Sequence, residues 1–162
     1  TAKFVPDRGE KVFRRGLYTF WKRTAPPPQM TTFDAPSRES CIARRERTNT
    51  PLQALLLLND PQYLEASRVL AQRILKTQGD EAERLTRLFR QATSRAPREA
   101  ERRELQAALA DLRNEFRSNP AEARKLLSGG ETPVDTSLAP EELAAWTLLA
   151  STVLNLDEVL NK

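Results

Sequence analysis

The sequence predicts an all-α protein, a compact multi-helix bundle behind an extended Pro- and Arg-rich N-terminal segment. Three observations carry this reading. Apolar residues recur every three or four positions through most of residues 50–160. Ala, Leu, Glu, Gln and Arg are abundant while glycine occurs only 5 times, which favours helix over sheet. Capping side chains stand directly before proline at Thr50-Pro51, Asp60-Pro61 and Asn119-Pro120. The fixed proline φ suits a first helical turn, and its missing N–H is one that no helix would use.

The elements follow in order. Residues 1–49 read as an extended, partly helical lead-in. Within it, residues 11–23 place Phe13, Leu17, Phe20 and Trp21 at helical spacing, although the same aromatic and β-branched residues suit a strand; helix is preferred. Pro26, Pro27 and Pro28 then remove backbone donors and favour an extended polyproline connector that runs to about Thr48. Residues 50–128 form the predicted helical core. Its first helix, Pro51 to Asn59, is apolar on most sides, and its second runs from Pro61 to about Lys76 with Gly79 as the stop. A third helix from about Asp80 carries Leu85, Leu88 and Phe89 inward and ends before Pro97; a fourth spans about Arg98 to Arg117. Two i,i+4 ion pairs are expected on their outer faces, Glu83 with Arg87 and Glu99 with Arg103. A short helix follows Pro120, residues 129–139 read as a polar linker, and residues 140–160 as a final buried helix, apolar almost all round. The whole of residues 1–162 is read as one helical domain, forming the C-terminal part of a larger one.

Composition narrows the function classes. No stretch is apolar enough to span a bilayer and residues 1–10 lack the apolar run of a signal peptide, so no membrane span is expected. The sequence starts at Thr1 without an initiator Met, so a longer parent is expected, with any targeting signal upstream. The formal charge of +4 is unevenly distributed: residues 1–50 hold 11 Lys and Arg against 5 Asp and Glu, and the remainder 15 against 17. A basic lead-in of this kind attracts polyanions or pairs with acidic groups elsewhere in the parent.

Histidine is absent, which removes imidazole proton relays and metal ligands. The single cysteine, Cys41, gives no thiolate zinc site and no haem-attachment motif, and Gly129-Gly130 lacks the Lys and Ser/Thr of a phosphate loop. Neither catalytic nor metal-binding residues are assigned, no cofactor is expected in this segment, and the segment alone is read as noncatalytic. Asp34 and Glu39 form no convincing acid/base pair, because their spacing in a loop does not fix the separation of the carboxylates. Cys41 reads as a small buried hydrophobe.

A polar cluster from Asp34 to Asn49 remains, in which Arg38, Arg44, Arg45 and Arg47 are the anion-binding candidates. Guanidinium forks match carboxylate, sulfate or phosphate, and a helix start adjoins them. The structural alternative, arginines that satisfy carbonyls and carboxylates of an irregular segment, is preferred. Phe13, Tyr18, Phe20, Trp21 and Phe33 lie among Arg14, Arg15, Lys22 and Arg23; the rings are read as core and the cations as rim, so nucleic acid is not an expected partner.

Residues 14–75 contain YTFWKRTAPPP, FDAPSRE and RRERTNTPLQALLLLNDP, and later LTRLFRQATSRAP and APEELAAWTLLASTVLNLDE. With these motifs the chain resembles the C-terminal domain of unknown function of large planctomycete proteins that also carry an N-terminal cytochrome c-type domain. The resemblance implies an exported protein of the periplasm or cell envelope, haem elsewhere in the parent, and other domains of that parent as partners. It supplies no catalytic residues. The favoured reading is therefore a noncatalytic structural or interaction module, with an anion- or glycan-binding module and a contribution to an active site completed by other residues as alternatives. The helix starts are directly testable: replacing Thr50 or Asp60 by Ala should each cost about 1 kcal/mol through loss of an N-cap. Thermal unfolding checks this, and unchanged midpoints in both variants would place the helix starts elsewhere.

Overall fold

The computed structural model describes residues 5, 7–22, 24–37, 39–44 and 48–160, the side chain of Glu10 excepted. It is all-α, and the chain divides into two compact units, Thr1–Leu56 and Leu57–Lys162. Among the described residues the sole sheet-type pairing is an isolated antiparallel bridge between Lys22 and Ala25.

In the first unit, two 3-10 turns, Gly9–Phe13 and Gly16–Tyr18, replace the helix preferred over residues 11–23. Arg14 and Arg15 between them are extended. A single amphipathic helix of that length is marginal unless its apolar stripe is packed, and here the stripe is not covered: Phe13, Leu17, Tyr18 and Phe20 are all largely exposed, Phe20 to 82%. Their reading as core is thus overturned. The connector also departs from expectation. Pro27 is extended, but Pro28 opens helix α1 (Pro28–Thr32), obeying the same first-turn preference as the later prolines. The hydroxyls of Thr31 and Thr32 donate to Pro27 O and Pro28 O at 3.1 and 3.0 Å, and α1 stops where Asp34 enters the left-handed region, φ 57°. Helix α2 (Pro51–Asn59) crosses the division between the units.

The second unit holds α3 (Pro61–Leu75), α4 (Glu81–Thr93), α5 (Glu99–Ser118), α6 (Pro120–Leu127), α7 (Pro140–Leu154) and α8 (Asp157–Leu160). Asp60 caps α3 by accepting from Gln62 N–H at 2.9 Å. Asp80 and Glu83 close a reciprocal capping box on α4, and Glu101 Oε2 accepts from Arg98 N–H at 2.6 Å ahead of α5. Helix α4 ends on Ser94 in the left-handed region, φ 67°. Helix α7 lies at the centre, against α3, α5 and α6, with α4 also in contact. Trp146, Leu143, Leu149 and Val153 meet Ile74, Leu85, Leu88, Phe89, Leu109 and Phe116 in one apolar cluster. The expected single helix to residue 160 breaks: Asn155 N–H donates to Ser151 O and Thr152 O, tightening the last turn, and α8 restarts at Asp157. Asn and Asp compete with the helical backbone for hydrogen bonds, so a break there has a local cause.

Charged side chains tie these helices together. Arg113 forks onto Glu142 at 2.8 and 2.5 Å and reaches Glu81 at 2.5 Å, while Trp146 Nε1 donates to Glu142 at 2.8 Å. Arg95 binds Glu101 and Glu158 and lies 4.8 Å from the Phe89 ring centroid. Of the two expected i,i+4 pairs, Glu99–Arg103 forms, at 4.0 Å. Glu83–Arg87 does not, because the Glu83 carboxylate turns back onto Asp80 N–H at 3.2 Å.

The segment after α6 is held by a buried acid and base on one face of α3. Glu65 accepts from Glu131 N–H and Thr132 N–H at 3.1 and 2.5 Å, and Arg68 Nη2 donates to Gly129 O and Thr132 O at 3.2 and 2.7 Å. Burial pushes the Glu65 carboxyl up, but these N–H donors and the Arg68 charge outweigh it and hold its pKa below the usual carboxylate value. Lys76 pairs with Asp135 further along. Gly130 has φ +96°, and a Cβ on it would lie 2.6 Å from Glu65 Oε2. Gly130→Ala combines a left-handed penalty with a steric overlap and should cost about 2 kcal/mol or more. Chemical denaturation measures this; an unchanged free energy would mean that residues 129–132 are not seated on α3.

Candidate functional site

The sequence-predicted cluster lies in the first unit, in the stretch between α1 and α2. Of its four anion-binding candidates, Arg38, Arg45 and Arg47 lie outside the described residues, and Arg44 is exposed. Cys41 is exposed, not buried as expected. The described residues instead build a polar knot at the base of this stretch.

Asp34 stands at its centre. Its carboxylate accepts from Thr48 N–H at 2.8 Å and from Thr48 Oγ1–H at 2.7 to 2.9 Å. Gln53, buried on the first turns of α2, places Nε2 2.9 Å from Thr32 O, 3.1 Å from Thr48 Oγ1 and 3.3 Å from Asp34 Oδ2, so its two hydrogens are shared among three acceptors. The other end of the same amide caps the helix. Gln53 Oε1 accepts from Thr50 N–H at 3.1 Å and Thr50 Oγ1 accepts from Gln53 N–H at 3.3 Å, a reciprocal capping box. Thr50 and Asp60 thus both serve as the caps their sequence position predicts. Asp34 N–H and Ala35 N–H donate back to Thr31 O and Met30 O at 3.2 and 2.9 Å, which anchors the knot to α1.

Chemically this is a clamp. Residues 34 and 48 are bridged through side chain and backbone, which ties together the two ends of a stretch of 13 intervening residues. All of these donors engage the carboxylate in holding the two ends together. Among the described residues no group of three or more His, Cys, Asp and Glu side chains is placed to hold a metal ion, and no helix is long and apolar enough to cross a membrane.

Sequence reasoning missed Gln53. The Thr-Pro-Leu-Gln spacing at 50–53 does carry the capping-box signature, whereas nothing local pairs Asp34 with Thr48. Asp34→Ala should open the clamp, so that trypsin cleaves after exposed Arg44 several-fold faster while unfolding of the second unit keeps its midpoint. Cleavage at the wild-type rate would show that the clamp does not restrain the loop.

Residues 1–109 match the family described as PSD1, protein of unknown function (DUF1553). No curated protein and no solved structure matches the chain. The match takes in the Asp34–Thr48 clamp, both proline-led helix starts at 51 and 61, and the whole of α4; covering well over half of the 162 residues, it makes this chain a member of the PSD1 (DUF1553) family.

Proposed function

We propose that the chain is a noncatalytic structural and interaction module of a larger exported protein, docking against other domains of its own parent. The family resemblance supports a periplasmic or cell-envelope setting in a planctomycete protein, with a cytochrome c-type haem domain elsewhere in the parent. One observation carries the docking role: Leu17, Tyr18 and Phe20, and on α2 Leu52 and Leu55, are large apolar side chains more than half exposed. Large apolar side chains left this exposed supply the surface that a docking partner covers. Three of the five are leucines, which suit a protein face better than a platform for stacked bases. The noncatalytic part rests on how the carboxylates are used. Asp34, Asp60, Glu65, Asp80 and Glu142 each accept hydrogen bonds that fix the backbone or a neighbouring side chain.

A second reading, an anion- or glycan-binding segment using Arg38, Arg44, Arg45 and Arg47, draws on the fact that all four lie in sequence between the clamp partners Asp34 and Thr48. Heparin retention that persists when the four become Gln would remove it.

Amide exchange tests the first reading. Residues 16–20 and 52–56 should exchange about tenfold more slowly in the longer parent than in this chain alone, as interface amides gain protection. Equal rates in the two would overturn it.

A further inference from the structure

The second unit carries a basic groove that the reading above does not use. An open groove of about 600 Å³ runs between α4 and α5 and is lined by Arg87, Arg90 and Arg102, with Thr86, Gln91 and the capping pair Asp80 and Glu83. Arg87 and Arg90 are exposed, three residues apart, and therefore adjacent on one face of α4. Neither makes an ion pair or a side-chain hydrogen bond among the described residues. The natural partner of Arg87 is Glu83, which the helix N-terminus has taken. Arg102 on α5 lines the same groove; it pairs loosely with Glu99 at 3.7 Å, and its buried Nε has no hydrogen-bond partner among the described residues. Elsewhere in this unit Arg95 and Arg113 are each saturated by two carboxylates. Two unpaired guanidiniums and a third that is only loosely paired, gathered around one groove, form a fork-rich site for oxyanions.

The rest of the lining narrows the ligand. No aromatic ring lines the groove, so it offers no stacking platform for nucleobases. The Thr86 hydroxyl spends its hydrogen on Ala82 O at 2.8 Å and is left as an acceptor, and Gln91 presents an amide, both suited to hydroxyl groups on a ligand. The two carboxylates sit at the α4 N-terminus and close that end to anions. We propose that this groove binds an acidic oligosaccharide, taking sulfate or carboxylate groups on Arg87, Arg90 and Arg102 and sugar hydroxyls on Thr86 and Gln91.

Titration calorimetry with a sulfated tetrasaccharide, its unsulfated counterpart and inorganic sulfate tests the proposal. The chain should bind the sulfated sugar, and more tightly than either of the other two. Arg87→Gln with Arg90→Gln, which keeps helix propensity, should weaken binding about tenfold or more, whereas Arg73→Gln with Arg124→Gln, an equal loss of charge outside the groove, should change it less than about twofold. Absence of binding, equal loss in both double variants, or equal affinity for the unsulfated sugar would each overturn it. In the same titration, amide shifts in NMR spectra should concentrate at residues 83–91 and 102; shifts confined to other residues would also overturn it.

Discussion

Helix α7 imposes the constraint from which the second unit is built. Of its 15 residues, nine are buried, and they lie on all sides of the helix: Leu143 to Thr147 in an unbroken run, then Leu149, Ala150, Ser151 and Val153. A helix buried on every side, with only Pro140 and Thr152 exposed, must be enclosed. Burying Leu143, Trp146, Leu149 or Val153 is worth about 1.5–3 kcal/mol each, and the alanines between them let neighbouring helices approach closely. Because one element takes the centre, the helices around it need only a single apolar stripe apiece. That frees α4 and α5 to be heavily charged outside, which is where the basic groove lies.

Enclosure of α7 leaves backbone groups between α6 and α7 to be satisfied without a helix of their own, and buried peptide groups must find partners. Glu65 and Arg68, three residues apart on α3, meet this need from opposite sides, the acid taking N–H groups and the base carbonyls. Arg113 works by the same economy of parts. Its two partners, Glu81 and Glu142, sit in the first turns of α4 and α7, so each carboxylate meets the positive end of a helix dipole and also anchors that helix to α5. Burial raises the Glu142 carboxyl, but Arg113 and Trp146 outweigh it and hold its pKa low, keeping it charged inside the bundle.

What the sequence made legible was whatever is written locally. Thr50, Asp60 and the prolines that follow them specify helix starts within four residues of chain, and the apolar repeat of α3 to α5 specifies a buried face within two turns. Even the errors have local causes. Pro28 reads as part of a polyproline run or as a first helical residue, and only the contacts of α1 decide; Glu83 had two suitors, the helix N-terminus and Arg87, and the first won. The Asp34–Thr48 clamp and the Glu65–Arg68 pair were illegible because their partners lie 14 and more than 60 residues away and are partly backbone atoms, which no side-chain pattern announces. The candidate arginines were legible as a cluster, but a run of like charges says nothing about which guanidiniums will find carboxylates. The pairing of Arg95 and Arg113 and the bareness of Arg87 and Arg90 are properties of the fold.

The first unit inverts the usual arrangement, and that inversion bears on its role. Its organising centre is a polar knot, with Gln53 buried and Asp34, Thr48 and Thr50 bonded around it, whereas Leu17 and Phe20 are its most exposed large apolar side chains among the described residues. Hydrogen bonds contribute about 1 kcal/mol each and give direction, but they bury little apolar area. A segment organised in this way fixes its backbone without consuming its aromatic and aliphatic side chains. Leu52 and Leu55 lie in the same turn as Gln53 and so stand on backbone the knot already fixes; covering them recovers hydrophobic free energy at a small cost in ordering, the condition under which an exposed apolar face becomes a binding surface.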